Sequence, residues 1–135
     1  MISADVVIKA QMYDLDPMGV VWHGNYARFL EQARCALLDR IGFNYLQMEA
    51  SGHLWPIVDM RLKYVRPIRF AQEIVVTATL AEWRNRLKIE YRIRDRTSGE
   101  VLTKAHTVQV AVVAATGELL LESPPALTEK MAELE

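Results

Sequence analysis

A turn rich in carboxylates, followed closely by a short polar segment, is the part of this sequence best suited to chemistry. Asp16 lies in the turn Asp14–Pro17, and His23-Gly24-Asn25 follows at what the pattern predicts to be a helix start. The first amide groups of a helix have no partner within the helix, so they can bind a ligand oxygen. A carboxylate beside such amides could attack a carbonyl held there, or activate water against it.

Each of these residues also has a purely structural interpretation. An aspartate before proline commonly forms a turn in which its carboxylate accepts backbone hydrogen bonds. We interpret Asp14 as structural. The two carboxylates could bind a metal ion, but no third ligand clusters with them, so we predict no metal site. Asn25 is expected to be the N-cap of the helix.

The elements that position these residues follow from the apolar pattern. A long amphipathic helix is predicted over Asn25–Ile41, ended by Gly42, and a shorter helix over Phe43–Ser51. Terminal helical turns are predicted around Leu127, Met131 and Leu134. Strands are predicted over Asp5–Tyr13, Trp55–Val65, Glu73–Trp83, Leu87–Arg96, Val101–Ala114 and Glu118–Leu121. This element order predicts an α+β fold with one domain over residues 1–135.

Composition restricts the possible functions. The 135 residues are 51% hydrophobic and 24% charged, which is typical of a globular domain. Sixteen basic and seventeen acidic side chains give a net charge of −1, without the basic excess expected of a nucleic-acid-binding protein. The longest wholly apolar run, Val110–Ala115, is much shorter than the ~20 residues of a membrane-spanning helix. One cysteine, Cys35, cannot form an intrachain disulfide. We therefore predict a cytoplasmic protein without a membrane span.

The segment Tyr13–Arg34 resembles the signature of hotdog-fold acyl-CoA thioesterases of the 4-hydroxybenzoyl-CoA thioesterase type. That signature runs roughly Asp-x-Asp-x-x-Gly-apolar-Val-aromatic-x-x-x-Tyr, with an acidic residue and an arginine further along the helix. The resemblance implies one long central helix wrapped by a five- or six-stranded antiparallel sheet. It also implies a homo-oligomeric hydrolase, such as a dimer of dimers, acting on short-chain or aromatic thioesters of coenzyme A or acyl-carrier protein. Coenzyme A would be part of the substrate, and no cofactor is expected.

The resemblance also implies roles for individual residues. At the position of Asp16 the family has its nucleophile or general base. The backbone amide at His23 would polarise the thioester carbonyl, and its imidazole could help to move a proton. The remaining substrate-binding positions that the resemblance indicates are Gly24, Tyr26, Trp55, Ile57 and Val58, the last three lining the acyl pocket from the neighbouring subunit.

A second stretch, Trp83-Arg84-Asn85-Arg86 with Lys88, resembles the family segment that contacts the phosphates of coenzyme A. Arginine forks suit phosphate oxygens. The sequence departs from the family pattern at Asn85, where a second arginine is expected. The alternative interpretation is a basic hairpin tip without a ligand.

Two other functions remain open at this stage. A hotdog dehydratase or isomerase would need a paired histidine and acid, for which His23 and Glu31 are the candidates. A non-catalytic acyl-CoA-binding protein could use the same groove. Glu31 could instead form an ion pair with Arg34 along one helix face. Cys35 lies mid-helix and is interpreted as a small buried hydrophobic residue.

Overall fold

The computed structural model describes residues 1–134. Five strands form one antiparallel sheet and two short strands form a second pair. The strands are β1 (Ser3–Lys9), β2 (His53–Leu54), β3 (Ile57–Tyr64), β4 (Glu73–Glu82), β5 (Leu87–Asp95), β6 (Val101–Gln109) and β7 (Val112–Val113). The helices are α1 (Tyr26–Ile41), α2 (Tyr45–Ala50) and α3 (Pro125–Leu134).

The strand order of the large sheet is β1-β4-β5-β6-β3, and every neighbouring pair is antiparallel. The long helix α1 packs against β1 and β4, at one side of the sheet. Its buried stripe meets the alternate strand residues that are also buried, which include Ile74, Val76, Ile89 and Ile93. Burying each such side chain contributes about 1.5–3 kcal/mol. The predicted α+β architecture of one long helix on a five-stranded antiparallel sheet is confirmed.

Alternation along the strands gives the sheet two different faces. We call the face toward α1 the inner face and the opposite one the open face. In β5 the inner face is apolar and buried, whereas Lys88, Glu90, Arg92 and Arg94 are on the open face. The edge strand β3 is covered by α1 only where Tyr26, the first residue of the helix, meets Tyr64. Its inner-face residues Met60 and Tyr64 are therefore 45% and 49% exposed.

The structure corrects four of the predicted boundaries. The first strand ends at Lys9, because Met12–Asp14 form a turn of 3-10 helix. The segment predicted as one strand over Val101–Ala114 is split into β6 and β7. Glu118–Leu121 is not a strand, and within it only Leu119 forms an isolated bridge, to Val112. The predicted C-terminal helical turns extend to a ten-residue helix, α3.

None of the helices in residues 1–134 has the length and apolar character needed to cross a membrane.

Candidate active site at the start of the long helix

The loop that carries Asp16 is a small hairpin. Leu15 forms an antiparallel bridge with Val21, and the Asp16 N–H donates to the Val20 carbonyl at 2.9 Å. Gly19 closes the turn with a positive φ of 77° and donates its N–H to the Asp16 carbonyl at 3.0 Å. A positive φ strains residues that carry a Cβ, which explains the glycine here. The hairpin therefore places Asp16 on the strand beside the one that leads into the helix.

Asp14 ties this hairpin to α1. Its carboxylate is buried and accepts one hydrogen bond from the Gln11 N–H and another from the Arg28 guanidinium, both at 2.8 Å. Its carbonyl accepts from the Trp22 N–H at 2.9 Å and from the Asn25 side-chain amide at 2.8 Å. These bonds agree with the structural role predicted for Asp14.

The Asp16 carboxylate is only partly buried. Its Oδ1 accepts a hydrogen bond from the Met18 N–H at 2.8 Å, which is the turn bond expected for an aspartate at this position. Oδ2 has no hydrogen-bond partner within residues 1–134. One oxygen is therefore used to orient the side chain, and the other can face a substrate.

The helix begins with a turn of 3-10 helix over His23–Asn25 that runs directly into α1. In the described part of the chain, the N–H groups of His23 and Gly24 have no backbone acceptor. The first turn of α1 also has no acidic side chain, so its positive end is not neutralised. Two amides are thus free to bind a carbonyl oxygen or an oxyanion.

Asn25 is not the side-chain N-cap that we predicted. It is helical itself (φ −85°, ψ −15°), and Trp22 precedes the first helical turn in an extended conformation. The Asn25 side chain instead donates to the Asp14 carbonyl and accepts from Arg28 at 3.1 Å. It therefore holds the hairpin against the helix, a role that local sequence alone does not reveal.

Gly24 allows the Trp22 indole to lie directly over the helix start. A Cβ at position 24 would overlap the six-membered ring of Trp22. Both residues are exposed, so the close approach is a local feature of the site rather than of the core.

We expect Gly24→Ala to displace the Trp22 ring and lower kcat/KM about tenfold, because small misplacements at a reacting centre are costly. Thermal stability should change little, since position 24 is exposed. A double-mutant cycle with Trp22→Ala checks the cause. If the clash is responsible, adding Gly24→Ala to Trp22→Ala should have no further effect, and full additivity would contradict this explanation.

Tyr26 lies beneath this site, almost fully buried. Its ring packs edge-on against Tyr64 of β3, with the centroids 4.9 Å apart. Burial, Tyr64 and the Asp16 carboxylate all raise the pKa of the Tyr26 hydroxyl, burial most strongly. The phenol therefore stays protonated at neutral pH. Its predicted contact with substrate stays a prediction.

The other predicted substrate residues lie elsewhere. Trp55 is buried, packs edge-on against Phe43 at 5.9 Å, and its carbonyl accepts from the Gln109 side chain at 2.8 Å. Ile57 and Val58 begin β3 and are exposed. They lie at the end of β3 opposite Tyr64, and a strand of this length spans roughly 20–25 Å.

The predicted phosphate-binding residues follow the end of β4. Arg84 is exposed and its guanidinium stacks on the Trp83 ring, 4.7 Å from the centroid. Arg86 forms an ion pair with Glu82 at 2.9 Å, and Lys88 lies opposite the same Glu82 in the sheet register. Arg84 is therefore the residue of this group with the greatest freedom to bind a phosphate.

One chain thus holds the predicted site in two parts. Asp16, His23 and Tyr26 are at the end of the sheet that contains Tyr64. The segment from Trp55 to Val58 and the 84–88 segment are at the other end, because Leu87, Gln109 and Ile57 form one cross-strand row.

The comparisons with known proteins identify the family. Residues 10–133 match the model of the thioesterase-like superfamily. The chain belongs to this superfamily. A Bacillus subtilis protein, provisionally named an acyl-CoA thioesterase, is 32% identical over 106 residues, which is 78% of this chain and 76% of that protein. An acyl-acyl carrier protein thioesterase of Arabidopsis thaliana is 31% identical over 77 residues, covering 57% of this chain and 40% of the plant protein.

A solved structure agrees with the family assignment. The DHNA-CoA thioesterase of Staphylococcus aureus superimposes with a TM-score of 0.86 at 28% identity, over 99% of this chain and 91% of that one. The hotdog fold that the sequence predicted is confirmed, and the protein is a thioester hydrolase.

A buried arginine on α1 of this thioesterase organises a polar network under the sheet. Arg34 donates to the hydroxyls of Tyr45 at 2.7 Å and Tyr91 at 3.3 Å, and Tyr91 bonds Thr107 at 2.7 Å. The predicted pair with Glu31 is present at 3.7 Å, although Glu31 is mostly exposed. The sequence indicated Arg34 but not its tyrosine partners, which come from two other elements, α2 and β5.

We expect this network to make stability fall in alkaline solution. Burial raises the pKa of the Tyr91 hydroxyl above its ordinary value of 10.0, against the opposing effect of Arg34, and the pKa of Tyr26 is raised too. Above about pH 10 the unfolded chain loses these protons while the folded chain keeps them. The contribution of the two tyrosines to the free energy of unfolding is therefore full below that pH and is lost as pH rises. Urea unfolding at neutral and alkaline pH measures this.

Tyr91→Phe is the informative variant. It leaves Arg34 and Thr107 short of a partner and should cost about 1–3 kcal/mol at neutral pH. It should also make the free energy of unfolding fall less steeply as the pH is raised above neutral. Tyr13→Phe is the matched control, because Tyr13 is exposed, and it should leave both quantities unchanged. Identical pH profiles for wild type and Tyr91→Phe would contradict the assignment to Tyr91.

Proposed function

We propose that this thioesterase hydrolyses acyl-CoA thioesters with Asp16 as nucleophile or general base. The observation that carries the proposal is the pairing of a carboxylate that has one free oxygen with two unpaired amides at the start of α1. The amides of His23 and Gly24 would bind the thioester carbonyl oxygen and stabilise the negative charge that develops on it. The thiolate of coenzyme A leaves without much protonation, because a thiol has a pKa of about 8.5.

Two routes are compatible with this geometry. Asp16 can attack the carbonyl carbon, which breaks the C–S bond and forms a mixed anhydride that water then cleaves to regenerate the carboxylate. Alternatively, Asp16 can accept a proton from a water molecule that attacks the carbonyl. The His23 imidazole is exposed beside the amides and could return a proton to the thiolate in either route.

A homo-oligomer is part of the proposal, because within one chain the two parts of the site lie at opposite ends of the sheet. The edge strand β3 has an unpaired side and exposed apolar inner-face residues at Ile57, Met60 and Tyr64. Pairing two copies of β3 antiparallel would cover that edge and those side chains. It would also bring Ile57 and Val58 of one copy next to Tyr64 of the other, which joins the two separated parts of the site. A dimer of dimers would add a second interface.

The substrate class is proposed from the resemblance and from the relatives. Short-chain or aromatic acyl-CoA is the first candidate, since the Staphylococcus aureus neighbour is named for an acyl-CoA substrate. The Arabidopsis relative is named for acyl-carrier protein, so a carrier-linked thioester is the second. Arg84, Arg86 and Lys88 would contact the phosphates of coenzyme A. A cytoplasmic location, as predicted from the sequence, agrees with an intracellular substrate of this kind.

A panel of short-chain, long-chain and aromatic acyl-CoA thioesters tests the proposal. Thiol release is followed with a chromogenic reagent, with Asp16→Asn as the background. Hydrolysis of at least one thioester well above that background is the expected result. No release from any of them would end the proposal.

The dehydratase alternative has less support. It needs His23 and Glu31 to act on the same substrate, whereas the Glu31 carboxylate is paired with Arg34 at 3.7 Å.

A further inference from the structure

The open face of the sheet carries a cluster of cations that the proposed reaction does not use. We call this cluster the basic face, and its members are Arg61, Lys63, Arg92, Arg94 and Lys104. They surround a shallow hollow of about 460 Å³.

Three of these cations are direct cross-strand neighbours. Lys63 of β3 is opposite Lys104 of β6, and Lys104 is opposite Arg92 of β5. Like charges directly opposite in a sheet are destabilising. Within residues 1–134, no member of the basic face forms a salt bridge that would offset this repulsion. The arrangement therefore costs stability in the isolated chain, and an anionic partner would relieve that cost.

The acidic groups near the basic face do not neutralise it. Glu90 lies on the same face, opposite His106, without a salt bridge. Asp59 is close to His106, at 3.5 Å, rather than to an arginine or lysine. Asp5 accepts a hydrogen bond from the Thr77 hydroxyl at 2.6 Å. The whole chain has a net charge of −1, so this concentration of cations leaves the rest of the molecule acidic.

The shape of the basic face favours a protein over a nucleotide. The hollow is open and lined mainly by charged side chains. Of its two aromatic side chains, Tyr91 is buried and His106 lies beside the Asp59 carboxylate, so the lining offers no exposed phenyl or indole ring on which an adenine could stack. Its cations are spread over three strands about 4.8 Å apart, which matches several separate carboxylates better than one diphosphate. A second basic face is a poorer partner than an acidic protein, because a two-fold contact would bring the cations of the two copies together.

The position of the basic face connects it with the proposed reaction. Lys88, a proposed phosphate contact, is on the open side of β5 together with Arg92 and Arg94. Arg61 and Lys63 are on the edge strand β3. The antiparallel pairing proposed above would therefore join the basic faces of two copies into one continuous surface, wide enough for a small protein.

From these observations we propose that the basic face docks an acidic acyl-carrier protein, which delivers its acyl group as a phosphopantetheine thioester. This inference rests on the proposed thioesterase function, and it selects the carrier protein as a substrate class in addition to coenzyme A.

Binding is measured first, without turnover. The Asp16→Asn variant is titrated by calorimetry with an acidic carrier protein loaded with a butyryl group. Adding Arg92→Gln/Lys104→Gln to Asp16→Asn should weaken carrier binding about tenfold. Raising the salt concentration from about 50 to 300 mM should weaken carrier binding to the unaltered basic face by a similar factor. The matched control is Lys9→Gln/Lys130→Gln, which removes two cations outside the basic face. Its dissociation constant for the carrier should stay within about twofold of that measured with all cations present.

Turnover provides the second measurement. In the active enzyme, Arg92→Gln/Lys104→Gln should lower kcat/KM for the acylated carrier about tenfold and leave that for the matching acyl-CoA within about twofold. Its melting temperature should be unchanged or higher, because removing opposed like charges relieves repulsion. If these cations had only a structural role, the double variant would change kcat/KM for both substrates by the same factor.

Several results would overturn the proposal. Two are binding results: no binding of the carrier to Asp16→Asn with an intact basic face, or equally tight binding when Arg92 and Lys104 are replaced. A third is an equal loss of kcat/KM for the acylated carrier and for the acyl-CoA. The fourth is a change of oligomeric state in the double variant, which would make the basic face a contact between copies. If the wild-type enzyme releases thiol from neither substrate, the thioesterase mechanism fails, while the calorimetry still tests docking independently.

Discussion

Asp16→Asn is expected to lower kcat/KM for acyl-CoA by about 10³-fold or more, which is within the range of lost acid–base or nucleophilic catalysis. The fold should survive, because the asparagine Oδ1 can still accept the hydrogen bond from the Met18 N–H. Asparagine removes the negative charge and the basicity while keeping the shape of the side chain. Thiol release and thermal unfolding of the purified variant measure the two quantities.

Asp14→Asn is the matched control for this substitution. Asp14 is two residues away, but its carboxylate binds Gln11 and Arg28 rather than facing the helix amides. The control should therefore cost about 1–3 kcal/mol of stability, through weaker hydrogen bonds to a charged group, and should retain most of the turnover per folded molecule. Turnover close to wild type in Asp16→Asn would remove Asp16 from the mechanism.

Turnover in ¹⁸O-labelled water tests the nucleophilic route open to Asp16. If Asp16 attacks the thioester and water then opens the anhydride at the Asp16 carbonyl carbon, labelled oxygen enters the Asp16 carboxylate over successive turnovers. If Asp16 acts as a general base, or if water opens the anhydride at the acyl carbon, the label enters only the released acid, so label in Asp16 is the diagnostic result. Mass spectrometry of the peptide that contains Asp16 measures the difference, and an Asp16→Glu variant shows whether the reach of the carboxylate matters.

Met60→Lys is expected to separate the protein into monomers and to reduce turnover about 100-fold or more, because correct positioning of substrate contributes a factor of this size. Met60 is on the exposed inner face of β3, where the proposed pairing would bury it. A buried lysine without a partner is costly, so the interface should not form. Sedimentation velocity measures the oligomeric state and thiol release measures the activity of the same samples.

Leu121→Lys is the matched control for Met60→Lys. Leu121 is 86% exposed and lies outside the sheet, so its replacement should change neither oligomeric state nor turnover. An active Met60→Lys monomer would show that one chain suffices for catalysis. It would contradict the proposal that two copies of β3 complete the site.

Much of the fold was predictable from local sequence, because the physical cause was local. The helical spacing of Phe29, Leu30, Ala33, Leu37 and Ile41 predicted α1, and Gly42 marked its end through the left-handed conformation that it adopts (φ 73°). The alternation in β5 predicted one wet and one buried face. Predictions failed where a contact across the molecule decided the outcome, as at Glu118–Leu121, which is a short apolar run after a turn but forms only one bridge.

For the site, the sequence by itself determined which groups could react: a carboxylate in a turn, a glycine that permits the turn, and a helix start a few residues later. The tertiary structure decided how they are held. Asp14 binds Arg28 and the Asn25 side chain, so Asn25 fastens the hairpin instead of capping the helix. It also decided that Ile57 and Tyr64 lie at opposite ends of β3 and that Lys63, Lys104 and Arg92 lie side by side. The register of β3 on β6 joins residues that are far apart in the chain, so no connecting turn fixes it and the local pattern of either strand alone does not reveal it.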